Sequence, residues 1–424
     1  MPSPSAAPPL LRHKPFLLFV GSNALTTIAY QMQVLGVGWT VYDLTRDPLD
    51  LGFVGLAQFL PALTLALVVG HVADRYNRLA IVRLCQVTEA LAAGFLALGV
   101  IGHWLTPHTV FVTVVVIGIA RAFETPTLQA ILPGLVPAEI LPRALAANSA
   151  AKQAAVIAGP ALGGLLYAVG PRYVFLLSGL GSLMALTGLL AVRLGRPATA
   201  REPATLHSVL AGIGFIRRRP VILGSISLDL FAVLLGGATS LLPVYARDIL
   251  KIGPLGLGTL RSAQAVGSLA MMLFITRYPL KRRVGRTMFA AVTVFGLATI
   301  GFGLSRSFPL SLMMLAILGA SDSISVVVRS SLVQLQTPDE MRGRVSAVNS
   351  IFIGTSNQLG EFESGVTAAW WGTVPAVVIG GVGTLVVVAA WRKLFPSLLA
   401  ADRLTSAEAN MPPGTPAPPA KTAG

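Results

Sequence analysis

Twelve long runs of apolar residues, separated by short polar connections, follow one another along the chain. An α-helix rises about 1.5 Å per residue, so roughly 20 apolar residues cross a hydrocarbon core of about 30 Å. The predicted spans have the limits 16–42, 50–72, 79–102, 108–128, 143–169, 172–194, 221–246, 255–276, 287–305, 309–331, 345–368 and 375–394. The pattern therefore predicts an all-α membrane protein with twelve transmembrane helices.

A repeated segment divides the twelve spans into two halves. Residues 136–149 align without gaps with residues 337–350, at an offset of 201, and six positions are identical. Each copy lies between the fourth and fifth spans of its half. Because duplicated halves are typical of secondary transporters, whose substrate site lies between the repeats, we predict two pseudo-symmetric six-helix bundles.

The remaining segments are predicted to be a linker and a tail. The N-terminal half covers 1–194 and the C-terminal half covers 221–395. Residues 195–220 are rich in arginine and contain a short amphipathic segment, which predicts a cytoplasmic linker with one short helix. Residues 396–424 end in a stretch rich in proline, alanine and glycine, so we predict a disordered cytoplasmic tail.

The charges support a membrane location and suggest an orientation. Only 12% of the residues are charged, against about 25% in an ordinary soluble domain. The net charge of +15 comes mainly from basic clusters in alternate connections, whereas the other connections carry only Arg46, Arg172, Arg247, Lys251, Arg261 and Arg306. Because basic loops face the cytoplasm, both termini are predicted to be cytoplasmic. This distribution argues against binding of nucleic acid.

The connection between spans two and three contains a group of residues with distinct physical roles: Gly70, Asp74, Arg75 and Arg78. Gly70 would let helices approach closely, and the arginines would anchor the cytoplasmic surface. Asp74 would either cap the third helix or bind the N-terminus of a neighbouring helix. The segment resembles the G-x-x-x-D-R-x-x-R signature of the major facilitator superfamily, from which it departs at Asn77 and Leu79. The resemblance implies a latch that holds the cytoplasmic side in the outward-facing state.

A second motif lies in span five, at Gly159, Pro160, Gly163 and Gly164. It resembles the antiporter motif of exporters in the same superfamily, in which small residues allow tight helix contact and a pivot. Close packing alone is the alternative interpretation.

Further segments resemble the branch that contains the enterobactin exporter and macrolide efflux proteins: Phe59–Pro61, Gln129–Pro137, Leu242–Tyr245, Gln334–Arg344 and Gln358–Gly365. The resemblance covers nearly the whole chain. It implies the major facilitator fold and export of a bulky organic solute, siderophore- or drug-like, by proton antiport.

Polar residues inside the spans predict the substrate path, because such residues usually face the interior of a bundle. In span one they occupy an arc of about 160°, taking 100° per residue, and comprise Asn23, Thr26, Thr27, Tyr30, Gln31 and Gln33. A cavity wall is the favoured interpretation of this arc. Hydrogen bonding between helices is the alternative.

Charged residues inside the spans complete the predicted site. Arg121 and Glu124 are one turn apart, which permits an ion pair, and both are assigned to the substrate cavity together with Arg329. Asp229 and Asp322 are the candidates for carrying a coupling proton, with a permanent salt bridge as the alternative for each. At the offset of 201, Arg121 corresponds to Asp322, so a pair across the pseudo-twofold axis is possible.

Span eleven contains two further acidic residues, Glu361 and Glu363. Glu361 and Glu363 point in different directions on span eleven, so at most one of them faces the cavity.

No enzymatic motif and no ATP-binding P-loop occurs in the sequence. The five histidines form no ligand cluster, Cys85 is alone, and neither a cofactor nor a metal is expected. The expected partners are a small organic solute, a proton and the lipid bilayer, for a monomer in a bacterial inner membrane. A facilitator or importer on the same fold, a membrane sensor or scaffold, and an intramembrane enzyme stay open as alternatives.

Overall fold

The computed structural model describes residues 13–192, 206–280 and 282–402, which are mostly helical and contain no β-strand. The helices are α1 (Lys14–Thr45), α2 (Pro48–Thr64), α3 (Ala66–Arg75), α4 (Arg78–Ile101), α5 (Pro107–Ile131), α6 (Leu141–Val169), α7 (Pro171–Leu190), α8 (Leu206–Arg217), α9 (Pro220–Leu235), α10 (Leu242–Val244), α11 (Gly253–Arg277), α12 (Val284–Leu304), α13 (Phe308–Gln336), α14 (Asp339–Trp371), α15 (Thr373–Leu394) and α16 (Pro396–Ala400).

Each of the twelve predicted spans corresponds to one helix, or to one interrupted helix, of the described residues. Eight of them are long and apolar enough to cross a membrane by length and composition. Among the other four, α2 is apolar but short, and α1, α11 and α14 are less apolar. Those three helices supply polar side chains to a cavity between the halves. Their polarity therefore follows from a face that is turned away from lipid.

The seventh span was predicted to be continuous, but the structure shows an interruption. The α-helix ends at Leu235, and a 3₁₀ turn at Ala238–Leu241 and a π turn at Tyr245–Ile249 follow it. A Cβ atom on Gly237 would lie 2.5 Å from the carbonyl oxygen of Gly360. Glycine at the break therefore lets this backbone contact α14 directly, as interrupted helices do at transporter sites.

The two halves are separate bundles that meet along two helix pairs. In the N-terminal half α1 packs on α6 and α7, and α4 packs on α5 and α7. In the C-terminal half α12 packs on α13 and α15, and α9 packs on α14 and α15. Across the halves, α6 packs along α11 and α2 packs along α14. The linker helix α8 packs on α9 and α14, so it is attached to the C-terminal half.

The predicted tail differs from the structure at its beginning. Pro396–Ala400 form α16, and its Leu398 side chain is fully buried in an apolar cluster with residues of α9 and α12. The backbone nitrogen of Gly285 also donates to the carbonyl of Ala401 at 2.9 Å. The boundary predicted at residue 396 is therefore wrong, because the leucines of α16 add an apolar surface that overall composition conceals. Residues 403–424 of the predicted tail lie outside the described residues.

One end of the bundle carries the basic clusters and is called the basic end below; the opposite end is called the far end. Arg283 precedes α12 at the basic end, and Thr373 begins α15 at the far end. We expect the basic end to be cytoplasmic. Single Arg283→Cys and Thr373→Cys variants, in a Cys85→Ser background, test this with a membrane-impermeant thiol reagent on whole cells. Position 373 should be labelled and position 283 protected, and the reverse result would invert the orientation.

Candidate functional site: a polar cavity between the halves

A cavity of about 350 Å³, the main cavity, lies between the two halves. Residues of α1 and α6 line one side, and residues of α11, α13 and α14 line the other. Its polar lining residues are Gln31, Gln153, Thr239, Arg261, Gln264, Ser268, Asp322, Ser323 and Glu361. The volume lies in the range of small-molecule sites, about 300–1,000 Å³. The position and polarity fit a substrate site between repeats.

A second chamber of about 190 Å³ lies on the far-end side of the main cavity. Tyr30 and Gln58 contribute to its wall, and the Tyr30 hydroxyl donates to the Gln58 amide oxygen at 2.7 Å. Gln31, Arg261 and Glu361 line both spaces. These three residues therefore form the boundary between the two spaces.

The polar arc predicted on α1 has two roles in the structure. Gln31 and Tyr30 line the cavity spaces. Asn23 instead donates to Asn148 of α6 at 2.9 Å, and the Thr27 hydroxyl donates to the backbone carbonyl of Asn23. The placement of Asn23 and Thr27 in the cavity wall is therefore corrected. The Asn23 side chain bonds between helices, which was the alternative interpretation, whereas the Thr27 hydroxyl bonds within α1.

Polar contacts across the halves close the far end. The guanidinium of Arg247 contacts the carboxylate of Asp43, and the hydroxyl of Tyr42 donates to Asp248. Arg46 lies 3.9 Å from both Asp43 and Asp248. These contacts join the end of α1 to the π turn that follows α10. They hold the two halves together at the far end.

A buried charge cluster lies inside the N-terminal half. Nη1 of Arg121 lies 2.6 Å from a carboxylate oxygen of Glu124, which confirms the ion pair expected from their spacing. Glu89 of α4 lies 3.9 Å from the same nitrogen, and the Tyr30 ring centroid lies 4.2 Å from the guanidinium carbon. Glu124 also accepts a hydrogen bond from Gln86 at 3.0 Å.

Arg121 and Glu124 were predicted to face the substrate, and the structure places them elsewhere. Neither lines the main cavity or the second chamber. Two carboxylates, those of Glu124 and Glu89, share one guanidinium between α4 and α5, and both side chains are almost fully buried. The cluster contacts the second chamber through the Tyr30 ring.

Asp229 and Arg329 form a buried ion pair that joins α9 to α13. Ser325 donates to the other carboxylate oxygen of Asp229 at 2.5 Å. Both carboxylate oxygens of Asp229 are therefore occupied, and Arg329 is absent from the lining of the main cavity. The structure assigns this pair to the interior of the C-terminal half, where it connects helices of one bundle and does not bridge the halves.

Asp322 has a different environment from Asp229, although both were candidates for the same role. Its side chain lines the main cavity and is partly exposed there. No ion pair or hydrogen bond of its carboxylate is found among the described residues. The suggested pair between Asp322 and Arg121 is also wrong, because Glu124 holds Arg121 within its own half.

Arg261 is a site residue that the sequence interpretation missed. It was counted among the connections, but it lies in α11 and lines both the main cavity and the second chamber. Its Nε atom is buried and has no hydrogen-bond partner among the described residues. Arg261 lies inside the predicted span 255–276, and a charged residue inside a span usually faces a cavity. This position could have identified it as a site residue. Glu361 also lines the cavity, whereas Glu363, two residues further on, does not.

The cap of α4 differs from the prediction for the latch segment. The Asn77 side-chain oxygen accepts hydrogen bonds from the backbone nitrogens of Leu79 and Ala80, at 2.9 Å and 3.3 Å. Asn77 therefore has the capping role that was predicted for Asp74. The Asp74 side chain lies outside the described part of the structure.

The other latch residues lie at the basic end. Nη1 of Arg78 donates to the carbonyl of Ala130 at 3.3 Å and so connects α4 to α5. Arg75 is exposed at the end of α3. A Cβ atom on Gly70 would meet no atom within 4 Å, so the close helix approach predicted for Gly70 is wrong.

The glycine motif of α6 contacts two neighbouring helices at once. A Cβ atom on Gly159 would lie 2.5 Å from Cβ of Gln31, and one on Gly163 would lie 3.0 Å from Cα of Met32. These two glycines therefore let α6 approach α1 within the N-terminal half.

The rest of the motif faces the C-terminal half. A Cβ atom on Gly164 would lie 3.0 Å from Cα of Gly258 in α11, and one on Gly258 would lie 2.4 Å from the carbonyl oxygen of Pro160. Pro160 also lines the main cavity. The motif thus forms the close backbone contact between the halves directly beside the cavity.

The ion pair of Asp229 predicts a structural phenotype. Asp229→Asn leaves Arg329 charged and buried, which costs about 3–5 kcal/mol of folding free energy. We expect a loss of yield and thermal stability in detergent, measured by fluorescence-detected size exclusion after heating. Adding Arg329→Gln should restore most of the stability, because no unpaired charge is left. An Asp229→Asn variant as stable as the wild type would exclude this role.

Comparison with known proteins decides the family. The model of the Major Facilitator Superfamily matches residues 17–360. The chain belongs to the Major Facilitator Superfamily. Its multi-pass membrane architecture and the predicted major facilitator fold are thereby confirmed.

The curated relatives support the resemblance found in the sequence. The chain is 27% identical over 342 residues to the enterobactin exporter EntS of Shigella dysenteriae serotype 1 (strain Sd197). The aligned region covers 79% of this chain and 81% of that protein. The enterobactin exporter EntS of Escherichia coli O1:K1 / APEC has the same identity and coverage.

Solved structures share the fold at low sequence identity. A bacterial homolog of the human lysosomal transporter Spinster, in an inward-facing and occupied conformation, has a TM-score of 0.72 at 14% identity and covers 89% of this chain and 96% of its own. The nucleoside transporter NupG has a TM-score of 0.68 at 14% identity. The superposition covers 90% of this chain and 99% of NupG. At this identity the likeness concerns the fold alone.

Proposed function

We propose that this protein exports a bulky organic solute, siderophore- or drug-like, from the cytoplasm by proton antiport with alternating access. One observation carries the proposal: a polar cavity between the halves contains the unpaired carboxylate of Asp322 and is closed at the far end. The relatives named enterobactin exporters support the outward direction. The protein acts as a monomer in the bacterial inner membrane, with both termini in the cytoplasm.

The contacts between the halves suggest how access alternates. In the described state the contacts of Asp43 and Tyr42 with Arg247 and Asp248 hold the far end closed. The solute enters from the basic end. Opening of the far end requires these contacts to break and the close contact of α6 with α11 to loosen while the halves rock against each other. The latch segment at Gly70–Arg78 then holds the basic end closed.

Asp322 is the proposed proton carrier, and Asp229 is proposed as structural. An unpaired ionised carboxylate within the membrane costs at least about 2.5 kcal/mol, so a carboxylate without a partner gains by binding a proton. Arg261 and Glu361 also line the cavity beside Asp322. The Asp229–Arg329 pair lies behind it, between α9 and α13. A change in the distance to these groups during rocking would change the proton occupancy of Asp322.

Transport in sealed inverted membrane vesicles tests the proposal. Radiolabelled enterobactin and a fluorescent amphipathic drug serve as probes, and a proton gradient is imposed with the inside acidic. We expect uptake above the external concentration, which an uncoupler collapses. Downhill uptake that is indifferent to the uncoupler would instead support the facilitator. Absence of movement of every probe, by protein that still binds one of them, would favour a sensor or scaffold.

A further inference from the structure

The second chamber indicates which chemical group of the solute it receives. We propose that the second chamber is a specificity subsite for one six-membered ring of the solute, with two adjacent hydroxyl groups on one edge and an apolar opposite edge. The rest of the solute occupies the main cavity. This inference rests on the proposed export function, because one solute must extend through both spaces.

The wall of the second chamber changes from polar to apolar towards the far end. In α1, which runs towards the far end, the lining residue Gln31 precedes Val34. In α2, which runs away from the far end, Val54 precedes Gln58. Apolar residues therefore form a roof near the far end, which consists of Val34, Gly38, Leu51, Val54 and Pro243. Polar residues form a floor beside the main cavity, which consists of Tyr30, Gln31, Gln58, Arg261, Gln358 and Glu361.

The volume and the roof of the chamber fit one ring with an apolar edge. The chamber has a volume of about 190 Å³, and an engineered cavity of about 150 Å³ in another protein holds benzene. The Ser240 hydroxyl near the roof already donates to the backbone carbonyl of Gly237 at 3.1 Å. A hydroxyl group of the solute that faced the apolar roof would lose its hydrogen bonds to water without replacement. The roof therefore selects a ring with a carbon edge on this side.

Unpartnered polar atoms of the floor indicate what the opposite edge of the ring carries. Nε of Arg261 is a donor and Oε1 of Gln358 is an acceptor, and both atoms are buried without a hydrogen-bond partner among the described residues. A hydroxyl group both donates and accepts. Hydroxyl groups at the floor can therefore accept from the Arg261 guanidinium and donate to the Gln358 amide, which completes the polar contacts that the protein leaves open.

The shape of the guanidinium group favours two adjacent oxygens over two distant ones. Arg261 presents its N–H donors in a planar fork. It takes part in none of the ion pairs found within the described part of the chain. Oxygens on neighbouring ring carbons can accept from this fork together, whereas oxygens on opposite ring carbons cannot. The floor therefore selects a ring with adjacent hydroxyl groups.

Two further side chains of the floor are held in place before a solute binds. The Tyr30 hydroxyl donates to the Gln58 amide oxygen at 2.7 Å, and the Tyr30 ring centroid lies 4.2 Å from the guanidinium carbon of Arg121. The amide oxygen of Gln58 is therefore occupied, and its NH₂ group stays available as a donor. A floor that is already ordered reduces the entropy lost on binding.

Three isomers of dihydroxybenzene test the inference on the purified full-length protein in nanodiscs. Catechol carries its hydroxyl groups on adjacent carbons, resorcinol carries them one carbon apart, and hydroquinone carries them on opposite edges. Binding is titrated by saturation-transfer difference NMR under argon, which prevents oxidation of the rings, and empty nanodiscs give the background. We expect hydroquinone to bind about tenfold more weakly than catechol, because one of its hydroxyl groups must face the roof. Resorcinol should lie between them.

Three variants assign the preference to the second chamber. Arg261→Met removes the fork and should weaken catechol binding about tenfold. Val54→Thr puts a hydroxyl group in the roof at nearly constant shape, so it should strengthen hydroquinone binding and leave catechol binding unchanged. The matched control is Gln264→Met, since Gln264 lines the main cavity and not the second chamber. This control should keep the full preference for catechol. If Arg261→Met does not fold, Val54→Thr decides.

Several results would overturn the inference. They are equal binding of the three isomers, preferred binding of hydroquinone, no binding of any isomer by folded protein, or a preference that both chamber variants leave unchanged. In each of these cases, uphill uptake of enterobactin in the vesicle assay would leave the export function standing. A catechol preference that depends on Arg261, without uphill uptake of any probe, would instead contradict export and leave the ring site standing.

Discussion

Replacing Asp322 by asparagine is expected to abolish uphill export and leave the protein folded. Asparagine has nearly the same shape as aspartate, and the Asp322 carboxylate makes no ion pair or hydrogen bond within the described structure that the change would break. It cannot bind and release a proton. In inverted vesicles we therefore expect uptake driven by a proton gradient to fall to the level of vesicles that lack the protein.

The same variant should retain exchange. When solute is present on both sides, rocking of the loaded protein needs no net proton movement, so counterflow of labelled against unlabelled solute should continue. Asp229→Asn with Arg329→Gln is the matched control, because it removes a carboxylate of the same half that is already paired. This control should keep gradient-driven uptake. Uphill uptake by Asp322→Asn with unaltered pH dependence would show that the coupling proton is carried elsewhere, and Glu124 would be the next candidate.

The twelve spans were predictable because the membrane imposes one strong rule. Nearly all residues that face lipid must be apolar over a fixed length, and the runs that satisfy this rule are visible in the sequence. The break in the seventh span was less visible, since Gly236 and Gly237 permit a helix as well as a turn. Only the contact of Gly237 with Gly360 decides between them. Helix contacts of this kind depend on tertiary packing and leave no periodic signal.

The candidate site was partly predictable, for a related reason. Polar residues within spans were correctly expected to turn away from lipid, but the sequence does not distinguish a side chain in a cavity from one that is satisfied by a neighbouring helix. Gln31 and Asn23 lie on the same arc of α1, yet Gln31 lines the cavity and Asn23 bonds to Asn148. Asp322 and Asp229 differ in the same way. The identity of each partner, which decides the role, comes from other helices.

The close contact of α6 with α11 predicts the second large effect. Gly258→Leu places a side chain where a Cβ atom alone would lie 2.4 Å from the carbonyl oxygen of Pro160 and 3.1 Å from Cα of Gly164. Backbone atoms cannot rotate away, so the halves must separate beside the cavity. Overpacking of this kind costs about 1–3 kcal/mol. Because the contact is formed in the state that is closed at the far end, the cost falls on that state.

The expected outcome is a shift of population towards the state that is open at the far end, with loss of transport. A change of about 1.4 kcal/mol corresponds to about tenfold in the equilibrium. Ser240 lines the second chamber, so Ser240→Cys in a Cys85→Ser background reports the opening to an impermeant thiol reagent on whole cells. Gly258→Leu should raise the labelling rate of Ser240→Cys about tenfold.

The matched control is Gly94→Leu, since a Cβ atom on Gly94 of α4 meets nothing within 4 Å. With this control substitution, Ser240→Cys should be labelled at the rate seen without it. If Gly258→Leu lost stability with unchanged labelling, the motif would serve packing alone, and the proposed loosening of this contact on opening of the far end would be wrong.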